Sequence, residues 1–346
     1  MKDTTTRALI GIAGLGMALT ARSVWRRNRY SFRGQSVVIT GGSRGLGLVM
    51  ARELADEGAR LTLLARDAAE LDRAAEELAG RGAEVLAFPC DVRDQRDVET
   101  AILRIIDHYG RIDVLINNAG EIQTGPIEHM QLADFENAMA VHLWGPLYAM
   151  FATLPHMRRQ GGGRIVNISS IGGKIAVPHL APYSTSKFAL VGLSDGMRAE
   201  LAKDDIYVTT VCPGLMRTGS HLNALFKGQH RGEFTWFAIM DALPLSSIDP
   251  RRAARQIVEA CRNADPQLII SIQARTLARL SGLFPGLTAR AMVLFNRMLP
   301  GPTTEAGDEL KTGWESRSRW APSLLTRLAD QETVENNGLR GHPPIV

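Results

Sequence analysis

Between Gln35 and Ser271 the chain alternates seven short β-branched or apolar runs with longer helical patterns. The runs are "SVVIT", "RLTLLA", "EVLAF", "VLIN", "RIVNIS", "YVTTVC" and "QLIIS". They are apolar almost throughout rather than at every second residue, the mark of strands covered on both faces, and the intervals are long enough for helical crossovers. This alternation predicts an α/β fold, a doubly wound and mostly parallel sheet. With no repeat or internal linker, it predicts one domain at 34–272 with extensions at 1–33 and 273–346. A hydrophobic content of 45% over 346 residues is ample for its core.

Two glycine stretches lie near the start. "GGSRGLG" (Gly41 to Gly47) directly follows the first strand and leads into the helical run "LGLVMARELADEG". There, glycines permit a tight turn and let a pyrophosphate approach backbone N–H groups at a helix N-terminus, as in a Rossmann fold. "GIAGLG" follows no strand. It sits inside "ALIGIAGLGMALTA", with Arg7 before it, Arg22, Arg26, Arg27, Arg29 and Arg33 after it, and no acid between Asp3 and Glu53. The run is short for a full span, and the arginines that follow predict a membrane anchor, inserted or interfacial, on the cytoplasmic face. The alternative is a helix packed on the domain or on a partner subunit.

"TGGSRGLG" at Thr40 to Gly47, "NNAG" at Asn117 to Gly120 and "YSTSK" at Tyr183 to Lys187 occur in that order. Together they resemble the short-chain dehydrogenase/reductase family over residues 35 to about 272. Four residues apart on a helix, Tyr183 and Lys187 share a face, so an ammonium near the phenol would favour phenolate. Tyr183 is the expected general acid in reduction and general base in oxidation. The resemblance implies that Lys187 also bonds the nicotinamide ribose. It further implies that Ser170, thirteen positions before Tyr183, polarises the substrate oxygen, with Ser169 as the alternative. Where the family carries a fourth catalytic residue, an asparagine that helps hold a relay water, this chain has His142. That residue either titrates in the relay or is a packed histidine making one polar contact.

The cofactor expected is NADP(H). Where NAD enzymes place an acid after the second strand, this chain has Ala65 followed by Arg66, and Arg44 in the glycine loop adds a second cation for a 2′-phosphate. Asp67, one position on, would favour NAD if the register shifted. The resemblance assigns the rest of the cofactor site to Thr40, Gly41, Ser43, Gly45, Leu46, Gly47, Asp91, Val92, Asn118, Ala119, Gly120, Pro213, Gly214 and Thr218.

The segment from Thr218 to Asp249 matches the position of the family's mobile lid. Phe234, Trp236, Phe237, Ile239 and Met240 suit a hydrophobic alcohol or ketone, or else contact with a partner subunit. "SIDPRRAARQIVEACRN" reads as a helix capped by Asp249 with Pro250 at its first position. Beyond it, Leu277, Leu280, Leu283 and Phe284, then Leu294, Phe295 and Met298, predict two amphipathic helices broken at Pro285. Arg275, Arg279, Arg290 and Arg297 decorate them, with no acid between Asp265 and Glu305. Such helices could lie on a membrane, cover the substrate mouth or pack between subunits. The segment from Pro300 reads as loosely ordered, with at most one short helix near "SLLTRLADQ".

A formal charge of +4 concentrated in arginines near both ends, without interleaved aromatics, points away from nucleic acid. Cys90, Cys212 and Cys261 form no CxxC pair, so no metal site is expected and the thiols read as core. Asn167 opens an N-x-S sequon inside an apolar strand and reads as structural. The overall expectation is an oxidoreductase moving hydride between NADP(H) and a hydrophobic, lipid-like alcohol or ketone. The resemblance implies a homodimer or homotetramer. A 3-oxoacyl thioester reductase is the alternative within the class; a non-catalytic NADP(H)-binding sensor or scaffold is the alternative outside it.

Overall fold

The computed structural model describes residues 30–242, 247–321, 323 and 326–339. The apolar run at 8–25 and its anchor reading lie outside the described residues. All seven expected strands form: β1 (Ser36–Thr40), β2 (Arg60–Ala65), β3 (Val85–Pro89), β4 (Val114–Asn117), β5 (Gly163–Ile168), β6 (Ile206–Pro213) and β7 (Gln267–Ile270). They make one parallel sheet in the order β7-β6-β5-β4-β1-β2-β3. Strand order reverses between β1 and β4, where a ligand crevice opens at the C-terminal ends of the strands.

Eleven helices matter for the site: α1 (Gly45–Asp56), α2 (Ala68–Gly80), α3 (Gln95–Tyr109), α4 (Leu132–Met139), α5 (Gly145–Arg159), α6 (Ala181–Leu201), α7 (His230–Ala242), α8 (Pro250–Asn263), α9 (Ile272–Leu283), α10 (Pro285–Asn296) and α11 (Arg327–Glu335). The period of two along each strand feeds two cores. Val37 and Ile39 of β1 pack with Leu54 of α1 and Ile257 of α8, while Val38 packs with Ile105 of α3 and Met150 of α5 on the other face. Asp249 caps α8 by accepting the Arg252 N–H at 2.9 Å, with Pro250 in the first turn, as the sequence predicts.

A third, smaller core joins the lid to the C-terminal extension. Phe226, Phe234, Phe237, Ala238 and Ala321 bury one another there. Phe234 is wholly buried, and at this position truncation to alanine costs about 3–5 kcal/mol. This lid helix is therefore packed into a core of its own.

The segment after Pro300 differs from its sequence reading. Ala329, Thr333 and Asn336 are buried, because polar side chains of the tail find partners on the body of the domain. Arg52 donates to Asn336 Oδ1 at 2.6 Å and to the Glu335 carbonyl at 2.9 Å. Composition alone reads such a segment as polar and loose; the partners that order it lie nearly 300 residues away. Among the described residues no helix is long and apolar enough to cross a membrane.

Candidate active site

A cavity of about 850 Å³ runs from the glycine loop, past Tyr183, to the α9–α10 hairpin. At its base, Gly41 and Gly45 hold φ of 65° and 54°, in the left-handed region that favours glycine. A Cβ on Gly47 would collide with the Gly41 carbonyl. Thr40 Oγ1 accepts the N–H groups of Asn118 (3.0 Å) and Ala119 (3.1 Å), and Asn118 Nδ2 donates back to the carbonyls of Thr40 and Gly41, each at 3.1 Å. These bonds tie "NNAG" to the loop and leave a cradle without side chains at the N-terminus of α1. Gly45 donates its N–H to the Asn336 carbonyl at 2.9 Å, while Leu46 and Gly47 sit in the first helical turn, whose N–H groups have no intrahelical acceptor. The cradle fits a dinucleotide pyrophosphate.

The adenine end is lined by Arg44, Arg66, Asp91 and Val92. Arg44 Nη1 lies 2.9 Å from Asn223 Oδ1 and 3.2 Å from Glu70 Oε1, and Ser43 Oγ donates to Glu70 Oε2 at 2.9 Å. Arg66 is half exposed, with a 3.5 Å contact to Glu121. Asp67, the residue that argued for NAD, is occupied as the N-cap of α2, accepting the Glu70 N–H at 2.9 Å. Asp91 is paired with Arg93. Pro213, Gly214 and Thr218 line the opposite wall, with Thr218 beside Gly45.

The strand ends position the reactive groups. Asn117 Nδ2 donates to Asn167 Oδ1, and Asn167 Nδ2 to Ser194 Oγ, each at 2.8 Å, so the sequon asparagine is a buried strut between β4, β5 and α6. The two serines just beyond β5 diverge. Ser169 is buried and donates to the Lys187 carbonyl at 2.9 Å, whereas Ser170 faces the cavity, accepts the Gly172 N–H at 3.0 Å and hydrogen-bonds the Tyr183 hydroxyl. The geometry thus favours Ser170 of the pair.

Tyr183 and Lys187 share a face of α6, with Lys187 Nζ 5.6 Å from the Tyr183 ring centre and donating to the Ile168 carbonyl at 2.9 Å. Their electrostatics differ from the sequence expectation. Burial pushes Tyr183 up to about 12, a hydrogen bond from Ser170 acting the other way, and burial pulls Lys187 down to about 7. Burial is the largest effect on both groups, so the chain's own residues hold the phenol protonated.

His142 sits in a π-helical turn, Ala140–Trp144, that links α4 to α5. Its Nε2 accepts the Glu121 N–H at 3.1 Å and its Nδ1 lies 2.8 Å from Ser186 Oγ, which itself donates to the Tyr183 carbonyl at 2.8 Å. The imidazole is neutral, protonated on Nδ1, and both nitrogens are taken. Burial, then the Lys187 charge, holds its pKa well below 6.5. Of the two readings of His142 this geometry favours the packed one: the ring lies edge-on against the Tyr183 ring at 5.4 Å and braces the helix that carries it.

Sequence reasoning missed Ser186 and Glu70, although "DAAE" at Asp67 to Glu70 carries the spacing of a helix cap with an acid at its third position. It also missed Asn336 and Asn337. Asn337 Nδ2 donates to the carbonyls of Ser43 (2.9 Å) and Glu70 (3.0 Å), and no local pattern marks it.

The parallel sheet, the bare cradle at its crossover and the Ser–Tyr–Lys cluster define a dinucleotide-binding α/β oxidoreductase. A short-chain dehydrogenase family model matches residues 35–225. The chain is 34% identical over 297 residues to "Dehydrogenase/reductase SDR family member 7B" of Bos taurus, covering 82% of this chain and 88% of that one. It is 32% identical over 240 residues to "Ketoacyl reductase HetN" of a Nostoc species, covering 69% and 79%. Among solved structures, a variant of actinorhodin polyketide ketoreductase with NADPH superposes with a TM-score of 0.62 at 29% identity, covering 68% of this chain and 95% of that one. The chain belongs to the short-chain dehydrogenase/reductase family.

Proposed function

We propose that this protein is an NADP(H)-dependent reductase of a hydrophobic ketone or aldehyde. The observation that carries the reading is the placement of Ser170, Tyr183 and Lys187 in a cavity whose outer wall is apolar, built by Trp236, Met240, Leu277, Leu280, Phe284 and Phe295. Bound NADPH supplies the hydride. Ser170 donates a hydrogen bond to the substrate carbonyl oxygen, and the Tyr183 hydroxyl gives that oxygen its proton. A phenol pushed up to about 12 is in the acid form at neutral pH, which suits reduction. Lys187, at about 7, exchanges protons readily near neutrality and can reprotonate the site.

Arg44 and Arg66 at the adenine end, with Ala65 in place of an acid, support NADP(H) over NAD(H). The polyketide ketoreductase also holds NADPH. Phe151 on α5 and Phe188 on α6 are exposed, which supports pairing of subunits through these helices.

Two related proteins described as ketoacyl and polyketide ketoreductases favour a second reading, reduction of a 3-oxoacyl thioester. NADPH oxidation by the full chain, over a panel of hydrophobic ketones, aldehydes and acyl thioesters, separates the two. Tyr183→Phe is expected to lower turnover by about 10²–10⁴-fold. Undiminished turnover in that variant, or equal affinity for NADH and NADPH, would refute the corresponding part of the proposal. Tight NADPH binding without turnover across the panel would favour a sensor.

A further inference from the structure

We infer that the α9–α10 hairpin is a docking surface for an anionic lipid membrane, and that the cavity takes its substrate from that membrane. The inference deepens the proposed function and rests on it for the nature of the substrate. Three observations meet on these helices. The first is their lack of cover among the described residues: α10 has no buried residue, and α9 buries only Ala274. Ile272, Leu283 and Met298 are 78%, 72% and 81% exposed, and Leu287, Val293 and Leu294 are more than half exposed. An apolar face this continuous is uncommon on a monomeric soluble protein and marks an interaction site.

The second is charge. Arg275, Arg279, Arg290 and Arg297 are exposed on the hairpin, and no Asp or Glu lies between Asp265 and Glu305. A basic amphipathic hairpin suits negatively charged headgroups, with arginine stems lying along the apolar face and guanidiniums reaching the phosphates. A second copy of this chain would bring four like charges against four and leave them without acids.

The third is continuity with the active site. Leu277, Leu280, Phe284, Leu287, Met292 and Phe295 line the outer cavity from the same two helices. Phe295 meets Trp236 of the lid helix edge-on, with ring centres 6.3 Å apart. The mouth of the cavity is thus made of the surface that would lie in the interface. A lipid-soluble carbonyl could pass from the acyl region to Tyr183 without crossing water.

The test uses the full chain with Leu283→Cys carrying an environment-sensitive fluorophore; Cys90, Cys212 and Cys261 are buried and leave this site to be labelled. Vesicles of phosphatidylcholine with a third phosphatidylglycerol are compared with phosphatidylcholine alone, and a second protein carries the label at Glu99→Cys, exposed on α3. The expected result is a blue shift and at least a two-fold rise in emission at 283, with anionic vesicles, and no change at 99. Arg279→Gln with Arg290→Gln should weaken this response about twenty-five-fold, at roughly five-fold per arginine near an anionic surface. An unchanged probe at 283 would overturn the inference, as would an equal response to neutral vesicles or an equal response at 99. A shift that grows with protein concentration without vesicles would also overturn it, assigning the face to a second copy. The readout needs neither cofactor nor turnover, so its failure is distinct from failure of the reductase reading.

Discussion

Replacing Asn337 tests whether the C-terminal tail holds the cofactor loop. Its side chain donates to two carbonyls that flank the cradle, Ser43 at 2.9 Å and Glu70 at 3.0 Å, and it sits at φ 57°. Asn337→Gly keeps that backbone conformation without strain and removes both donations. Asn337→Asp keeps the shape and removes the donor. Each donation contributes about 0.5–1.5 kcal/mol net, so the pair contributes about 1–3 kcal/mol. If that energy keeps the loop in its binding conformation, the competent fraction falls with it and NADPH binds about ten-fold more weakly. Titration of cofactor fluorescence against each variant, beside thermal unfolding, reads both quantities. A lowered Tm with the NADPH Kd unchanged within two-fold would refute the argument, showing that the tail stabilises the fold without ordering the cradle.

Gly47→Ala should abolish cofactor binding while leaving a folded chain, seen as intact far-ultraviolet circular dichroism with no NADPH fluorescence change, because the added methyl overlaps the Gly41 carbonyl. His142→Asn should lower Tm by the loss of a buried hydrogen bond, about 1–3 kcal/mol, yet leave the inflections of the pH–rate profile in place; a lost inflection between pH 5 and 8 would restore the titrating role. His221 is buried between Asp241 (Nδ1, 3.4 Å) and Asp330 (Nε2, 3.2 Å), which join the lid helix to α11. Burial lowers its pKa, but the two carboxylates beside it raise it above 6.5 overall. A raised folded pKa makes its contribution to stability complete below pH 6.5 and lost as pH rises through the folded value. Tm measured from pH 6 to 9 should therefore fall in the wild type more steeply than in His221→Gln; parallel curves would refute the sign.

The sheet was legible because its information is local. Apolar runs, crossover lengths and a glycine turn after β1 each report on a few consecutive residues, and all seven strands appear where such runs stand. The shared face of Tyr183 and Lys187 was legible for the same reason, four residues apart on one helix, whereas the choice of Ser170 over Ser169 rested on the family resemblance. What was not legible depends on partners remote in the chain. The phenol's raised pKa comes from burial, which spacing does not reveal, and His142 could be judged only once Glu121 and Ser186 were seen to occupy both its nitrogens.

The C-terminal extension adds contacts that the common fold does not supply. Residues 35–225 carry six of the seven strands, the cradle and the cluster of Ser170, Tyr183 and Lys187, and they match the family. The lid helix alone would present Phe234 and Phe237 to water; it gains a core because Ala321 and the tail close over it, and Asp330 reaches back to His221. The tail then continues past the lid to the glycine loop, where Asn336 and Asn337 engage its backbone. One segment therefore braces the lid and the cofactor cradle together. Loss of α11 should disturb NADPH binding and substrate selection at once, although no residue of that helix lines the cavity.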